Sequence, residues 1–339
     1  MMALYFKQAW QLLKQNPLFS GVYILGTGLG IAMTMSLVII CYIKMAPVYP
    51  EENRNRILVS KGMTVVEQKN QENWFSSHVS FQAVKRFYYP LKSTEAVGAS
   101  MDGRSTSLLE LPGDGDLKEV QVKLVDAGFW KVFQFAFVDG RPFSQADFDS
   151  GLRKAVISRT MARQLFGEAT PVGRTFVLDS DEYRVCGVVK DVSFITPATY
   201  ADIWLPLTVD ADIIKDNKGG YELVGDLNVY MLAPSVDAKD KVISEVRDVF
   251  RKYNYSQKKY SADLHGQPVS YWKSIFYEYS SSAPDWGELL RVYGTILLAL
   301  LFVPALNLAG MIASRMKRQL SELGIRKACL LYTSPSPRD

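Results

Sequence analysis

The sequence predicts a membrane protein with two transmembrane helices flanking a mixed α+β extracytoplasmic domain and an amphipathic interfacial helix at the N-terminus. Three observations predict it. Leu18 to Ile43 and Val292 to Ser314 carry no charged residue, and at about 1.5 Å rise per residue each outreaches the roughly 30 Å hydrocarbon core of a bilayer. The residues between them have ordinary globular composition, so the 339-residue chain is 48% hydrophobic with a mean hydropathy of −0.02. Finally, the charges bordering the apolar runs are unequal. Arg315, Lys317, Arg318, Arg326 and Lys327 follow the second run against Glu322 alone, and Lys7 and Lys14 precede the first with no acid. On the other side Glu51, Glu52, Asp285 and Glu288 offset Lys44, Arg54, Arg56 and Arg291. An excess of Lys and Arg is retained in the cytoplasm, which puts both termini inside and the central domain outside. This asymmetry accounts for most of the net charge of +4, so no nucleic-acid partner is expected.

Each element follows in order. Over residues 3–15, Tyr5, Ala9, Leu12 and Leu13 share one helical face and Lys7, Gln11, Lys14 and Gln15 the other. That pattern suits a helix lying on the inner membrane surface, a lipid contact ended by Asn16-Pro17, so residues 1–17 are assigned to it. The first span, 18–44, is too long for the apolar core of a signal peptide and runs straight into KMAPVYPEEN. Within it Gly26 and Gly30 form a small-xxx-small pair through which another helix can approach closely.

The domain at 45–286 is long enough for two subdomains. Its β-rich runs fall at 56–60, 105–111, 118–125, 154–158, 174–178, 182–192 and 227–232. Helical periodicity marks 79–89, 127–134, 159–166 and 236–252, the last with Val242, Val246, Val249 and Phe250 on one face. Turns are expected at 111–116 and 138–143. Of three cysteines only Cys186 falls here, with Cys41 in the first span and Cys329 in the tail, so no disulfide can form within the domain. The second span, 289–314, contains Pro304, a kink, and one turn later Asn307, whose amide should face protein rather than lipid. A bond to a neighbouring helix and a contact to substrate are both open to Asn307. A basic cytoplasmic segment, 315–328, and a polar tail, 329–339, follow.

Catalytic signatures are missing. There is no G-x-x-x-x-G-K-[ST] phosphate loop and no G-x-S-x-G elbow, and the two histidines, His78 and His265, have no Cys or second His near them. Neither enzyme activity nor a metal or other cofactor is expected.

Two stretches are informative instead. From Val138 to Val192 the residues describe a turn, a strand, a helix capped by Ser158, a loop punctuated by Gly167, Pro171 and Gly173, and a strand pair ending in a Val-rich strand. The glycines serve backbone geometry. In order, Gly140, Arg141, Phe143, Val156, Ile157, Ser158, Ala162, Leu165, Phe166, Gly167, Pro171, Gly173, Val185, Gly187, Val188 and Asp191 follow G-R-x-F, V-V-I-S-x-x-x-A-x-x-L-F-G, P-x-G and V-x-G-V-x-x-D. This resembles the extracytoplasmic core domain of MacB-type ABC transporter permeases, the group that includes FtsX-like and lipoprotein-releasing permeases.

The second stretch follows the second span. Glu322, Leu323, Gly324, Ile325, Arg326, Lys327 and Ala328 are similar to that family's R-x-x-E-[IL]-G-[IL]-R-[KR]-A, although Arg318 stands four residues before Glu322, one more than the pattern has. Arg318, Glu322 and Arg326 recur at i, i+4 and i+8 on one helical face, with Met316, Leu320 and Leu323 on another. After Ala328 the resemblance stops. Cys329, Leu330 and Leu331 stand where small residues belong, and the Pro-interrupted end cannot span a membrane. The two further spans of the family are therefore expected to be lost to truncation or a chimeric joint.

The resemblance implies a non-catalytic, multi-pass permease subunit of the bacterial inner membrane. It implies a cytoplasmic ABC ATPase docked on residues 318–327, a second permease subunit as homo- or heterodimer, and a periplasmic adaptor as a further partner. ATP-driven closure of the ATPase would move the spans, and the spans the periplasmic domain, for export or extraction of cargo. Two rivals share the layout. A two-span sensor would show a heptad linker after the second span, and none is sustained there; an FtsX-like division regulator shares the fold.

Overall fold

Pro17 opens the first helix, α1 (Pro17–Met45), in the position where its missing N–H costs nothing. Two of its hydroxyls are satisfied within the helix, Thr34 donating to the Gly30 carbonyl and Ser36 to that of Ala32, each at 2.8 Å. Leu25, Leu29, Ile31, Val38 and Ile40 stand exposed around it. A computed structural model of the chain describes residues 10, 14, 17–69, 72–101, 105–111, 117–215, 222–277 and 284–332. The interfacial helix expected at the N-terminus lies outside them except for Trp10 and Lys14, both helical. The chain divides into two units, Met1–Tyr42 with Asp285–Asp339, and Ile43–Pro284.

In the second unit fifteen strands are linked by pairing. They are β1 (Ile57–Ser60), β2 (Met63–Glu67), β3 (Trp74–Val79), β4 (Ala96–Met101) and β5 (Ser105–Glu110). Next come β6 (Leu117–Val125), β7 (Phe137–Gly140), β8 (Lys154–Ser158), β9 (Thr175–Leu178) and β10 (Asp181–Val189). The last are β11 (Ile203–Pro206), β12 (Val224–Gly225), β13 (Leu227–Leu232), β14 (Tyr260–Asp263) and β15 (Val269–Ser270). The helices are α2 (Phe81–Ala83), which runs into a π turn at Val84–Tyr88, α3 (Phe129–Val132), α4 (Gln145–Asp149), α5 (Arg159–Phe166), α6 (Ala211–Lys215), α7 (Lys239–Ser256) and α8 (Tyr271–Ser274).

Pairing runs β11-β8-β10-β9-β5-β6-β4-β13-β3-β2-β14. Because β11 also pairs with β6, in parallel from Ile203 against Val122 to Pro206 against Val125, the strands β11, β8, β10, β9, β5 and β6 close into a ring. The ring encloses the smaller of two cores, built from alternate residues such as Val120 and Val122, Ala155 and Ile157, Phe176 and Leu178, with Met161 and Leu165 added by α5. A larger core lies between β1, β13, β4, α3, the α2 turn and α7, where Phe87 and Phe250 approach to 4.8 Å. On α7, Val242, Val246 and Phe250 are buried and Val249 is half-buried, as its helical spacing requires.

Every β-rich run read from the sequence is a strand. Others escaped it because they carry no period-two signal. β3 is half polar, β4 is made of small residues, and β11 is four residues buried on both faces. In β4, Gly98 is required by contact, since a Cβ there would lie 2.7 Å from the Phe129 backbone. Most of the turn expected at 111–116 lies outside the described residues.

Asp285 starts the last helix, α9 (Trp286–Tyr332), its Oδ1 accepting from the amides of Gly287 at 2.8 Å and Glu288 at 3.2 Å. The helix passes through Pro304 and has no break at residue 314. The expected span and the expected basic segment are therefore one rod, about 70 Å long at 1.5 Å per residue. It also takes in Cys329 to Tyr332, which the sequence analysis assigned to the tail. Leu330 and Leu331 are good helix formers, and the next proline is Pro335. Residues 333–339 lie outside the described set.

Candidate functional site

The motif of residues 138–192 folds as a strand–helix module whose glycines are explained by contact. Gly140 and Gly187 face each other where β7 pairs with β10. Gly140 has a φ of +66°, and a Cβ on it would lie 2.3 Å from the Cys186 carbonyl oxygen. One on Gly187 would lie 2.7 Å from that of Arg141. The Arg141 amide donates to the Cys186 carbonyl at 3.0 Å, while its side chain is exposed. The two strands thus touch backbone to backbone, which no larger residue allows.

Phe143 is buried, and Ser144 then caps α4 in a reciprocal box. The Asp147 amide donates to Ser144 Oγ at 3.2 Å and the Ser144 amide to Asp147 Oδ2 at 2.9 Å. Lys154, opening β8, donates to Asp147 Oδ1 at 2.7 Å, and this bond, followed by that from Ser144, holds the carboxyl down at about 2. Ser158 Oγ accepts from the Met161 amide at 3.2 Å at the start of α5, and Asp191 Oδ1 takes the Thr160 amide at 2.9 Å. The last motif residue therefore closes onto the helix the motif began.

Leu165 is buried, Phe166 sits beneath Arg174 at 5.9 Å, and Gly167 ends α5 with a φ of +60°. Pro171 and Gly173 turn the chain back, the Arg174 amide donating to the Pro171 carbonyl at 3.1 Å and the Gly173 amide to that of Val185 at 2.8 Å. Burial pushes the Cys186 thiol up to about 12, so it stays protonated at neutral pH. An open groove beside α5, 370 Å³ in volume, mixes Arg159 and Arg163 with Asp139 and Glu168.

An enclosed polar cluster lies elsewhere, where the chain leaves α1. Glu51 is 0% exposed, and Arg54, Thr199 and Tyr271 around it are buried. Arg54 Nε donates to Glu51 Oε2 at 2.7 Å, Tyr271 Oη to the same oxygen at 2.5 Å, and Thr199 Oγ1 to Oε1 at 2.8 Å. Arg54 Nη1 donates to the carbonyls of Ile43 at 2.6 Å and Ala46 at 2.7 Å, and its guanidinium lies 5.1 Å from the centre of the Tyr271 ring. Burial, and then the Glu51 charge, raise the Tyr271 hydroxyl well above its ordinary value. Both carboxylate oxygens are satisfied, as a buried charge demands. Alongside, Tyr49 Oη accepts from the Ala136 amide at 3.1 Å and donates to the Lys190 carbonyl at 3.3 Å, next to Asp191.

Glu51 and Arg54, expected as membrane-flanking charges, are both withdrawn from solvent. As one acid and one base they leave the charge asymmetry unchanged. Their partners, 148 and 220 residues away, gave no local sign. The available signal was an acid and a base three apart in a Pro-bounded stretch, YPEENR, directly after an apolar run.

Within the first unit, Gly30 is buried, and a Cβ on it would lie 2.5 Å from Pro304 Cγ. Tyr23 similarly approaches Gly310, its hydroxyl 3.2 Å from where a Cβ would be. The pairing of 30 with 304 and 23 with 310 makes α1 and α9 antiparallel. Gly26 is half-buried on α1; the side chain of Asn307 lies outside the described residues. Arg318, Glu322, Leu323, Gly324, Ile325, Arg326 and Lys327 all fall in the last third of α9. Gly324, Ile325 and Lys327 are exposed there, and the side chains of Arg318, Glu322, Leu323 and Arg326 are outside the described set. His78 bonds the Lys61 carbonyl and His265 bonds Thr64 Oγ1, each at 2.6 Å. Among the described residues no three His, Cys, Asp or Glu side chains are grouped as a metal site.

The family profile of the MacB-like periplasmic core domain matches residues 20–249. YknZ of Bacillus subtilis, described as an uncharacterized ABC transporter permease, is 22% identical over 211 residues, 62% of this chain and 49% of that protein. The macrolide export ATP-binding/permease protein MacB of Bdellovibrio bacteriovorus is 23% identical over 327 residues, 95% of this chain and 48% of its own length. The chain thus spans about half the length of these relatives. Among solved structures, the extracellular domain of YknZ is similar at a TM-score of 0.39 and 18% identity, over 60% of this chain and 99% of that domain. The periplasmic region of MacB from Actinobacillus actinomycetemcomitans gives 0.39 and 13%, over 60% and 88%.

Proposed function

This chain belongs to the MacB-like periplasmic core domain family, and from that premise we propose that it is a permease subunit of an ABC transporter that works by transmitting motion. The observation that carries the reading is the family match over residues 20–249, which takes in α1 and most of the second unit. Two further features support it. Ser20–Ile43 and Trp286–Leu306 are long and apolar enough to cross a membrane, and they expose apolar side chains on all sides, which water does not favour and lipid does. The relatives are themselves described as permease or ATP-binding/permease proteins.

In this reading the chain sits in the bacterial inner membrane with both termini cytoplasmic and the Ile43–Pro284 unit in the periplasm. It contributes no catalysis and needs no cofactor. A separate ABC ATPase hydrolyses ATP, a second permease subunit completes the dimer, and a periplasmic adaptor receives the cargo. The ATPase docks on the charged end of α9, with Glu322, Gly324, Arg326 and Lys327 at the contact. Because α9 is continuous from Trp286 to Tyr332, a push at its charged end is carried along the helix into the bilayer up to Pro304, where a backbone bond is missing and the helix can bend. Gly26, Gly30, Pro304 and Asn307 form the seam along which the two spans move together.

The test is co-purification of the full chain with a co-expressed ABC ATPase of its host. Glu322→Ala with Arg326→Ala is expected to lower recovery of the ATPase at least about tenfold, the loss of roughly 1.4 kcal/mol of binding. Unchanged complex formation would refute the assignment.

A further inference from the structure

The polar cluster around Glu51 is used by none of the steps above, yet it is a buried charge with both carboxylate oxygens satisfied. Its position is specific. A helix ends with carbonyls that have no partner within it, usually left to water or a cap. At the end of α1 a buried guanidinium takes two carbonyls of the exit, those of Ile43 and Ala46, at 2.6 and 2.7 Å. That guanidinium is held by Glu51, and Glu51 is held by two hydroxyls from distant parts of the chain.

Each hydroxyl leads to a different strand system. Thr199 precedes β11, a strand of the closed ring, and its carbonyl accepts from Trp204 Nε1 at 3.0 Å, so this arm reaches that ring strand through an indole buried in the larger core. Tyr271 opens α8, directly after β15, which pairs with β1, so this arm reaches the larger core. A third tie, Tyr49 to Ala136 and Lys190, reaches the end of the strand–helix module. An apolar cluster of equal volume would hold these segments together as firmly, but it would let the helix end slide. Charge-assisted bonds at both ends of one guanidinium fix direction as well as distance.

We propose that the Glu51 cluster is the joint through which displacement of α1 is delivered to the periplasmic domain, with Glu51 and Arg54 as its positioning residues and Thr199 and Tyr271 as its two output arms. The proposal deepens, and rests on, the reading of the chain as a motion-transmitting permease. Moving Ile43 either drags both arms or strands a buried charge, so the domain follows.

The joint can be tested without the ATPase, in the full chain in lipid nanodiscs with Cys41, Cys186 and Cys329 replaced by serine. Gly30→Cys and Pro304→Cys, which stand in contact, allow the spans to be bridged and released by oxidation and reduction. Hydrogen exchange is read at residues 196–204 and 269–274. With the joint intact, bridging is expected to change exchange there by about fivefold; in Glu51→Gln the change should vanish, with exchange at residues 144–154 unaltered as a folding control. Tyr271→Phe, which keeps its ring and loses one hydroxyl, should lower the response at 269–274 by about half and serves if Glu51→Gln does not fold. A full response in either variant overturns the joint while leaving the permease reading intact. Failure of the bridge to form in lipid overturns the paired-span reading, and the joint with it.

Discussion

The strand–helix module at residues 138–192 and the Glu51 cluster both hold distant segments in one arrangement, by opposite physical means. In the module, β7 and β10 meet where two glycines leave no side chain between them, so contact is made by backbone. In the cluster, backbone segments are kept apart and joined by charge. Backbone contact tolerates no added volume and is indifferent to protonation. A buried ionic cluster accepts small changes of shape but not the loss of one partner. The comparison teaches which part is a fixed scaffold and which can transmit force: a seam of close-packed backbone has one position, whereas a chain of hydrogen-bonded side chains passes on what its end does.

The contrast can be broken most forcefully at Glu51 or Arg54. Alanine at either leaves the other charge buried and unpaired, with an expected loss of about 3–5 kcal/mol. Thermal unfolding of the full chain in detergent measures it, and the double variant should cost clearly less than the sum of the singles. Additive losses would mean that the two side chains do not act as a pair.

Gly140→Ala probes the other side and should cost roughly 2–4 kcal/mol, because it adds a clash with the Cys186 carbonyl to a left-handed backbone. Gly151 sharpens the point. Its φ is +63° but nothing lies within 4 Å of an added Cβ, so Gly151→Ala should cost only about 1 kcal/mol. Equal losses would show that backbone strain alone, rather than contact between strands, selects glycine at Gly140.

Acid addresses the ionic tie between Lys154 and Asp147. Lys154 and Ser144 lower Asp147 from 3.8 to about 2, so its contribution is fully present above the unfolded value and disappears as pH falls through the folded one. Asp147→Asn should therefore be less stable than the parent at neutral pH and converge with it near pH 2. A constant difference down to that pH would contradict the assignment. Ser144→Ala should cost about 1 kcal/mol, as small a loss as Gly151→Ala, from the loss of one half of the capping box.

The same contrast explains what could be read from the sequence. Much of the module was legible because its constraints are local, Ser158 capping α5 and Gly167 ending it within a few residues; the short α4 behind Ser144 and Asp147 was not read. Strands β6 and β8 were legible through their β-branched residues, and β13 through Val229 and Tyr230 in an apolar run. β4 and β11 were not, because small or fully buried residues erase alternation, and the closed ring could not be inferred from strands taken singly. The Glu51 cluster was opaque for a related reason. Glu and Arg after an apolar run look like membrane-flanking charges until residues 148 and 220 positions away are brought beside them. At the other end of the chain, Glu-Leu-Gly-Ile-Arg-Lys could be placed on a helix from its spacing. That this helix is the span itself, continued, follows only from the absence of proline between Ser314 and Tyr332 and from the tolerance of Gly324 within the helix.

The central claim is that force enters on one side of a membrane and is used on the other, and the orientation of the chain tests it most directly. In a Cys186→Ser, Cys41→Ser background, a cysteine at Tyr255, which is 95% exposed in the Ile43–Pro284 unit, and the native Cys329 on α9 are challenged in intact spheroplasts with a membrane-impermeant thiol reagent. The account predicts labelling at position 255 at once and at Cys329 only after the membrane is permeabilised. Labelling of Cys329 first, with position 255 protected, would contradict it.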